Sequence, residues 1–433
     1  MKISDANIKI IKDSRLKETL EASLYTDSHG LEHGSTQISA TASAPSGESR
    51  GAHEAFVLEP QLAIKKFNET KLGILNREFN SQEEFDNFLI SLDGTADKSN
   101  LGGNLTLVLS LAFARLKAKE EGIELFKYIN QVLGSKFSAE GGSASGGQVL
   151  RSTRPFFNVI NGGAHSTHPE SKLNFQEFQI IPDTEDFGLA LGLGQEFYRK
   201  LKDFLENKFS KENVMLGDEA GFSCAFKNNE EALEIMADLI LKHKYPLKIG
   251  LDVAASQFYK DGNYLIGSKN YSAEELKNYY LQIIEAYKIF SIEDPFSEES
   301  FDDFSKLTAD LYGSRRINAD NIGINQSNQH QSVLIIADDL TTTNLERLQI
   351  AINKKSGNTI LIKPNQIGTL TETLNVIKLA YENNWQAVVS HRSGETMDDF
   401  IADLAVGAGA FGIKAGAPSA PERMAKYNRL LEI

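Results

Sequence analysis

In the second half of the chain, short aliphatic runs recur, and each closes on a polar or charged side chain. "KIGLD" ends at Asp252, "IFSIE" at Glu293, "VLIIAD" at Asp338, "TILIK" at Lys363, "AVVSH" at His391 and "FGIK" at Lys414. Runs of this length, rich in Val, Ile and Leu, predict strands. Their closing residues are separated by 41, 45, 25, 28 and 23 positions, room each time for a strand, a crossover helix and loops. Helical patterns fill these intervals. Ser272 and Glu275 form a capping box before Leu276, Tyr280, Ile283 and Tyr287, and Thr369 with Glu372 does so around Leu370, Leu374, Ile377 and Tyr381. This alternation predicts a parallel (β/α) barrel whose strand C-termini converge on one mouth, with an open doubly wound sheet as the alternative from pattern alone. No GxGxxG or GxxxxGK(S/T) sequence supplies the phosphate loop that would favour the open sheet.

The first part of the chain has a different rhythm. Strands are expected over 8–11 and 21–25, followed by helices. Ser81 and Glu84 form a capping box ahead of Phe85, Phe88, Leu89 and Leu92, and 104–121 is a long helix candidate. Between the two rhythms lies "GSKFSAEGGSASGGQ", with hardly an apolar anchor, which predicts a flexible linker or inserted loop. The expected division is an α+β unit over 1–133, a Gly/Ser-rich linker or loop over 134–153 and an α/β barrel over 154–433.

The strand ends carry the chemistry. Burying an ammonium without a partner costs roughly several kcal/mol, so a lysine closing an apolar strand, as Lys363 does before Pro364, needs a reason. If the six runs share one mouth, Asp252, Glu293 and Asp338 bring three carboxylates together, beside Lys363, His391 and Lys414. Packed carboxylates repel unless a divalent cation sits among them. Oxygen donors with no cysteine and no paired histidines favour Mg²⁺ over Zn²⁺. A lysine next to such a cation has its protonated form disfavoured and suits a general base. Each residue alone has a blander account: Asp338 as a turn or cap residue, Lys363 snorkelling to solvent, His391 as a satisfied core histidine, and "GDEAGF" around Glu219 as a solvated loop. The joint pattern at successive strand ends is what favours the site.

Composition narrows the partners. The 433 residues carry a net charge of −14, which argues against a nucleic-acid or anionic-membrane surface, so an anionic ligand requires a local reversal of sign by metal ions or clustered Lys and Arg. A hydrophobic content of 41% and a charged content of 24% are those of an ordinary globular protein. The single cysteine, Cys224, excludes an intramolecular disulfide and fits a reducing cytoplasm. The start has no apolar signal region, and the weakly polar stretch over 400–413 falls short of a bilayer span. A soluble, cytoplasmic protein is expected.

Beyond these local readings, "PSGESRG" (45–51), "NVINGGAH" (158–165), "FQEF" (175–178), "GDEAGF" (217–222) and "LDVAASQFY" (251–259) occur in one chain. "SIEDP", "ADDLTTTN", "LIKPNQIGTLTET", "SHRSGETMDDFIADLAVG", "IKAGAP" and "ERMAKYN" follow in order. In these motifs the chain resembles the enolase family, the phosphopyruvate hydratases of glycolysis and gluconeogenesis. The resemblance implies an N-terminal α+β domain capping a modified TIM-type (β/α)8 barrel, 2-phosphoglycerate and phosphoenolpyruvate as substrate and product, and two Mg²⁺ ions per site. It also implies a homodimer or larger homo-oligomer. Enolase-superfamily sites pair a Lys or His base with one or two Mg²⁺. By motif match, Asp252, Glu293 and Asp338 would hold the first metal, with Ser49 assisting the second. Lys363 would take the C2 proton, and Glu219, supported by Glu177, would protonate the departing C3 hydroxyl. His165, Gln176, Glu177, Arg392, Ser393 and Lys414 would surround the substrate, Arg392 and Ser393 at its phosphate and Lys414 at its carboxylate, and His391 matches the family's catalytic histidine position. Two departures stand out: Glu48 and Arg50 flank Ser49 where the family has small residues, and Ala220 follows Glu219 where the family has glycine, a difference that matters if that backbone needs φ > 0. A lyase acting on another 2-substituted carboxylic acid, or a non-catalytic binding protein of the same fold, are the alternatives to an enolase activity.

Overall fold

The computed structural model describes residues 1–28, 36–47, 51, 53–75, 77–134, 153–321 and 333–433. Ser49, Glu48 and Arg50 lie outside the described residues, as do 135–152 of the expected linker.

Three antiparallel strands open the chain in the order β1 (Ile3–Lys12), β2 (Glu18–Ser28), β3 (Thr36–Ser43). Sequence analysis located the first two and passed over β3. Alternate residues, Ala6 and Ile8 in β1 and Leu20, Ala22 and Leu24 in β2, are buried, as expected for a sheet with one covered face. The cover is the helix Gly103–Glu120, which lies on β2 and β3. Buried in turn by the helices Gln82–Asp93 and Leu125–Leu133, it is apolar nearly all round rather than striped.

The second sheet holds the barrel. Its strands β4 (Arg154–Asn161), β5 (Glu177–Pro182), β6 (Leu247–Asp252), β7 (Ile289–Glu293), β8 (Leu334–Ala337), β9 (Thr359–Ile362), β10 (Gln386–Ser390) and β11 (Gly412–Lys414) pair in that order, and β11 returns to pair with β4. The ring is not wholly parallel, which corrects the expectation from pattern. β5 runs antiparallel to both β4 and β6. The reason is local: between β4 and β5 the chain makes only the 3₁₀ turn Gly163–His165 instead of a crossover helix, and without a crossover two consecutive neighbours pair antiparallel. The consequence is functional. Glu177 opens β5 opposite Asp252, the last residue of β6, so a strand start joins the strand ends at the mouth.

Burial on both faces explains why the runs read as unbroken apolar stretches. Leu334 and Ile336 of β8 point into a small barrel-interior cluster with Phe156, Ile181, Phe290, Leu361 and Val388. Ile335 and Ala337 face the main core outside the ring. At the end of β9, Lys363 is the N-cap of a short helix whose first residue is Pro364; proline at the first helical position stops the strand and sets the lysine at the rim.

Capping signals survive in part. Ser272 and Glu275 form the reciprocal box. Ser81 accepts from Glu84 N at 3.1 Å, but Glu84 reaches back to Asn80 N at 2.8 Å. Thr369 accepts from Glu372 N, and the Glu372 carboxylate is shared with Lys98 at 2.8 Å. The N-terminal unit grips the barrel next to the rim: Asp86 accepts from Thr371 N at 2.8 Å, Ser110 Oγ from Leu370 N at 2.9 Å, and Arg115 pairs with Asp398 at 2.7 and 2.9 Å. Among the described residues, no helix is long and apolar enough to cross a membrane.

Candidate active site

All six residues that close the aliphatic runs stand at one mouth. Asp252, Glu293 and Lys414 are the final residues of β6, β7 and β11, and Asp338, Lys363 and His391 follow directly on β8, β9 and β10. Six successive strand ends around the ring therefore present Asp, Glu, Asp, Lys, His and Lys.

Lys414 is the electrostatic hub. Its Nζ lies 2.9 Å from Asp252 Oδ2, 2.9 and 3.0 Å from the two Glu293 oxygens and 3.2 Å from Glu177 Oε2. Only 2% of it is exposed. Burial works against its charge, but these carboxylates outweigh burial and hold it well above the usual lysine range. Lys363 pairs with Asp338 Oδ2. Among the groups of the chain itself, burial alone would lower this ammonium, but Asp338 reverses the balance and raises it; the depression expected from the sequence is that of a bound cation beside it. Gln366 donates to Asp338 Oδ1 at 3.2 Å, and Thr343 Oγ links Gln366 to the Lys363 backbone N–H.

The expected metal trio shares this rim, yet its members face different partners: Asp252 and Glu293 converge on Lys414, while Asp338 turns to Lys363. Among the described residues, the sets whose ligand atoms all lie within 4.8 Å of one another are Asp294, Asp338 and Asp339, and His165, Glu177 and Glu219. The surroundings suit a hard divalent cation. Burial, with repulsion from Asp252 and Asp338, pushes Glu293 well above the carboxylate range despite Lys414. Burial and neighbouring Asp338 push Asp339 up to about 7. The cleft is lined by seven carboxylates against three permanent cations, Lys363, Arg392 and Lys414, so a positive ion would relieve repulsion there. Holding it with the expected trio requires the two lysines to release their carboxylates.

Across the ring lies the other half. Glu219 sits on the loop between the short strands Met215–Leu216 and Phe222–Ser223. Ala220, next to it, has φ 62°, so the position does require the left-handed backbone that glycine adopts freely. Asn158 Nδ2 donates to Glu219 Oε2 at 2.9 Å, and His391 Nε2 lies 3.5 Å from the same oxygen. His165 Nδ1 is 3.8 Å from both Glu177 Oε1 and Glu219 Oε1. Burial and the charge of Glu219 push Glu177 well above the carboxylate range. Burial also acts on Glu219, but His391, His165 and Arg423 outweigh it and hold that carboxyl well below the range. The two carboxyls are thus pushed in opposite directions, Glu177 upward and Glu219 downward. Gln179 Nε2 donates to Glu177 Oε2 at 2.9 Å.

The remaining expected residues also reach the cleft. Gln176 donates to Asp252 Oδ2 at 3.2 Å and accepts from Gln257. Arg392 donates to Glu54 Oε2 at 2.9 Å and to Asn365 Oδ1 at 3.2 Å, and Ser393 lines the wall beside it. Several participants went unassigned in the sequence: Glu54, Asn158, Asp294, Asp339 and Arg423. All stand within or beside motifs quoted above, but none closes an aliphatic run, the signal that marked the others. About 60 Å³ is free between these groups, room for two waters or so.

Residues 3–129 match the family model described as "Enolase, N-terminal domain", and residues 151–433 match "Enolase, C-terminal TIM barrel domain". The chain is 38% identical over 445 residues to a protein named Enolase from Methanocaldococcus jannaschii, covering all of this chain and 94% of that one. It is likewise 38% identical over 463 residues to Enolase B of Dictyostelium discoideum, again over all of this chain and 94% of the relative.

Proposed function

The chain belongs to the enolase family, and from that premise we propose that it catalyses the Mg²⁺-dependent, reversible dehydration of 2-phosphoglycerate to phosphoenolpyruvate. One observation carries the reading. In the closed order of eight strands, Lys363 at the end of β9 stands four strands from Glu177 at the start of β5, directly across the mouth, and base and acid of a dehydration must address opposite sides of the substrate.

The chemistry needs each part. Removing a proton next to an ionised carboxylate places two negative charges on one small fragment, which is prohibitive without preorganised positive charge. Asp252, Glu293 and Asp338 are the residues that would hold Mg²⁺, with Ser49 and a second ion as the family resemblance implies. When bound, the metal supplies positive charge beside the substrate carboxylate. With Asp338 engaged as a metal ligand, Lys363 would lose the partner that raises it and would serve as the base at C2. Lys414 faces the substrate carboxylate, and Arg392 with Ser393 faces the phosphate. On the far side Glu219, supported by Glu177, delivers the proton that the C3 hydroxyl requires. A role in glycolysis and gluconeogenesis, a cytoplasmic location and a homo-oligomeric assembly belong to the same proposal.

Turnover of 2-phosphoglycerate followed by enolpyruvate absorbance tests it. Activity is expected with Mg²⁺ and is expected to vanish with EDTA. Metal-replete protein that leaves 2-phosphoglycerate untouched, or turnover indifferent to chelator, overturns the proposal.

A further inference from the structure

The first turn of the last helix, Pro421–Glu432, places a fully buried arginine behind the acid side of the cleft. Arg423 Nη1 lies 2.6 Å from His391 Nδ1 and donates to Arg392 O at 2.8 Å. Its Nη2 donates to Ser393 O at 2.6 Å and to Asp218 O at 2.8 Å. One guanidinium thus ties together the loop bearing His391, Arg392 and Ser393 and the loop bearing Glu219. A guanidinium has donors only and does not deprotonate in proteins. The His391 Nδ1 in contact with it must therefore accept, which leaves the ring's single proton on Nε2, 3.5 Å from Glu219 Oε2.

We propose that Arg423 is a positioning residue of the proposed dehydration: by occupying the Nδ1 lone pair it fixes His391 in the tautomer whose Nε2–H points at Glu219. The opposite tautomer would aim a lone pair at a buried carboxylate oxygen, leaving Asn158 as its only donor there among the described residues. With Nε2–H in place, the carboxylate formed when Glu219 gives up its proton has an otherwise unpartnered N–H 3.5 Å away, ready to close on it. The groups facing the imidazole agree with a neutral ring. Burial and Arg423 push His391 down to about 4 against the pull of Glu219 and Glu395.

The inference rests on the dehydration reading for its catalytic consequence, but its test does not need substrate. Full-length protein labelled with ¹⁵N at histidine reports each ring nitrogen as bare or protonated, with His391 assigned by comparison with His391→Gln. The expected spectrum has Nδ1 bare and Nε2 protonated, unchanged between pH 6 and 8. A protonated Nδ1, or an imidazolium at neutral pH, overturns the proposal whether or not any variant folds. In Arg423→Met the expected changes are a mixed tautomer and a His391 that titrates closer to its ordinary range. That variant should also lose about 10- to 100-fold in kcat with KM little changed, and Arg423→Lys, which keeps one donor, should restore the tautomer and part of kcat. A folded Arg423→Met with the wild-type tautomer and pH profile shows that the arginine acts only as structure. Lack of wild-type turnover would defeat the dehydration reading while leaving the tautomer result intact.

Discussion

Replacing Lys414 by methionine, which matches its length and removes its charge, probes a buried ammonium surrounded by carboxylates. The ammonium has four carboxylate oxygens within 3.2 Å, from Asp252, Glu293 and Glu177. All three residues are almost wholly buried, at 2%, 1% and 1% exposure. Removing one partner of a buried ion pair typically costs about 3–5 kcal/mol, because the remaining charge is left desolvated. Here three carboxylates lose a shared partner, so the upper end of that range applies at pH 7.5 in EDTA. Two consequences separate this account from simple loss of packing. The deficit should shrink toward pH 5, since Glu293 and Glu177 are already pushed upward by burial and repulsion and take up protons readily once the ammonium is gone. It should also shrink on adding Mg²⁺, which can take over the neutralisation; an ion at 100 times its dissociation constant stabilises by about 2.7 kcal/mol. Thermal unfolding of the variant and the wild type, with EDTA and with Mg²⁺ at both pH values, measures all of this. A Lys414→Met protein as stable as wild type in EDTA at pH 7.5, or a deficit equal under all four conditions, refutes the reasoning.

Other expectations concern parts away from the rim. Asp86 is buried, and burial raises its carboxyl to about 6 despite bonds from Thr371, Ser110 and Gln82. A raised acid favours the folded state when protonated, so its contribution is fully present below the unfolded value near 3.8 and is lost as pH rises through about 6. Two units correspond to about 3 kcal/mol. Asp86→Asn keeps the acceptor for Thr371 N but sets its amide against Gln82 Nε2, a cost independent of pH, so its stability relative to wild type should climb by about that amount between pH 4 and 7, and a flat difference in denaturant midpoints counts against this. Ala220→Gly should stabilise the protein by about 1 kcal/mol, since a non-glycine residue at φ 62° carries left-handed strain; an unchanged or lower melting temperature contradicts it.

How far the sequence disclosed this molecule depends on the kind of signal. Residues that end an aliphatic run, such as Asp252 and Lys363, were legible because charges at the ends of six successive buried strands have no joint structural explanation, although each alone has one. The orientation of β5 was not, because antiparallel pairing follows from a missing crossover helix, and "FQEFQIIP" reads alike in either direction. β3 was passed over because its apolar residues are small, with Ala40 and Ala42 buried where larger aliphatics would mark a strand. The raised state of Lys363 depends on the Asp338 oxygen it meets at the neighbouring strand end, a contact that spacing along the chain does not encode. Glu54 and Arg423 act on site residues more than 300 and about 30 positions away respectively, and only the folded chain brings them there.

The central claim is that Lys363 and the Glu177 and Glu219 pair act on opposite sides of one substrate. Exchange of the C2 proton of 2-phosphoglycerate with deuterated solvent, followed by NMR in Mg²⁺, separates proton removal from hydroxide departure. Glu219→Gln should still exchange the C2 proton while forming no phosphoenolpyruvate, and Lys363→Ala should do neither. Undiminished exchange in Lys363→Ala, or exchange abolished in a folded Glu219→Gln, would contradict the assignment of base and acid to these two sides.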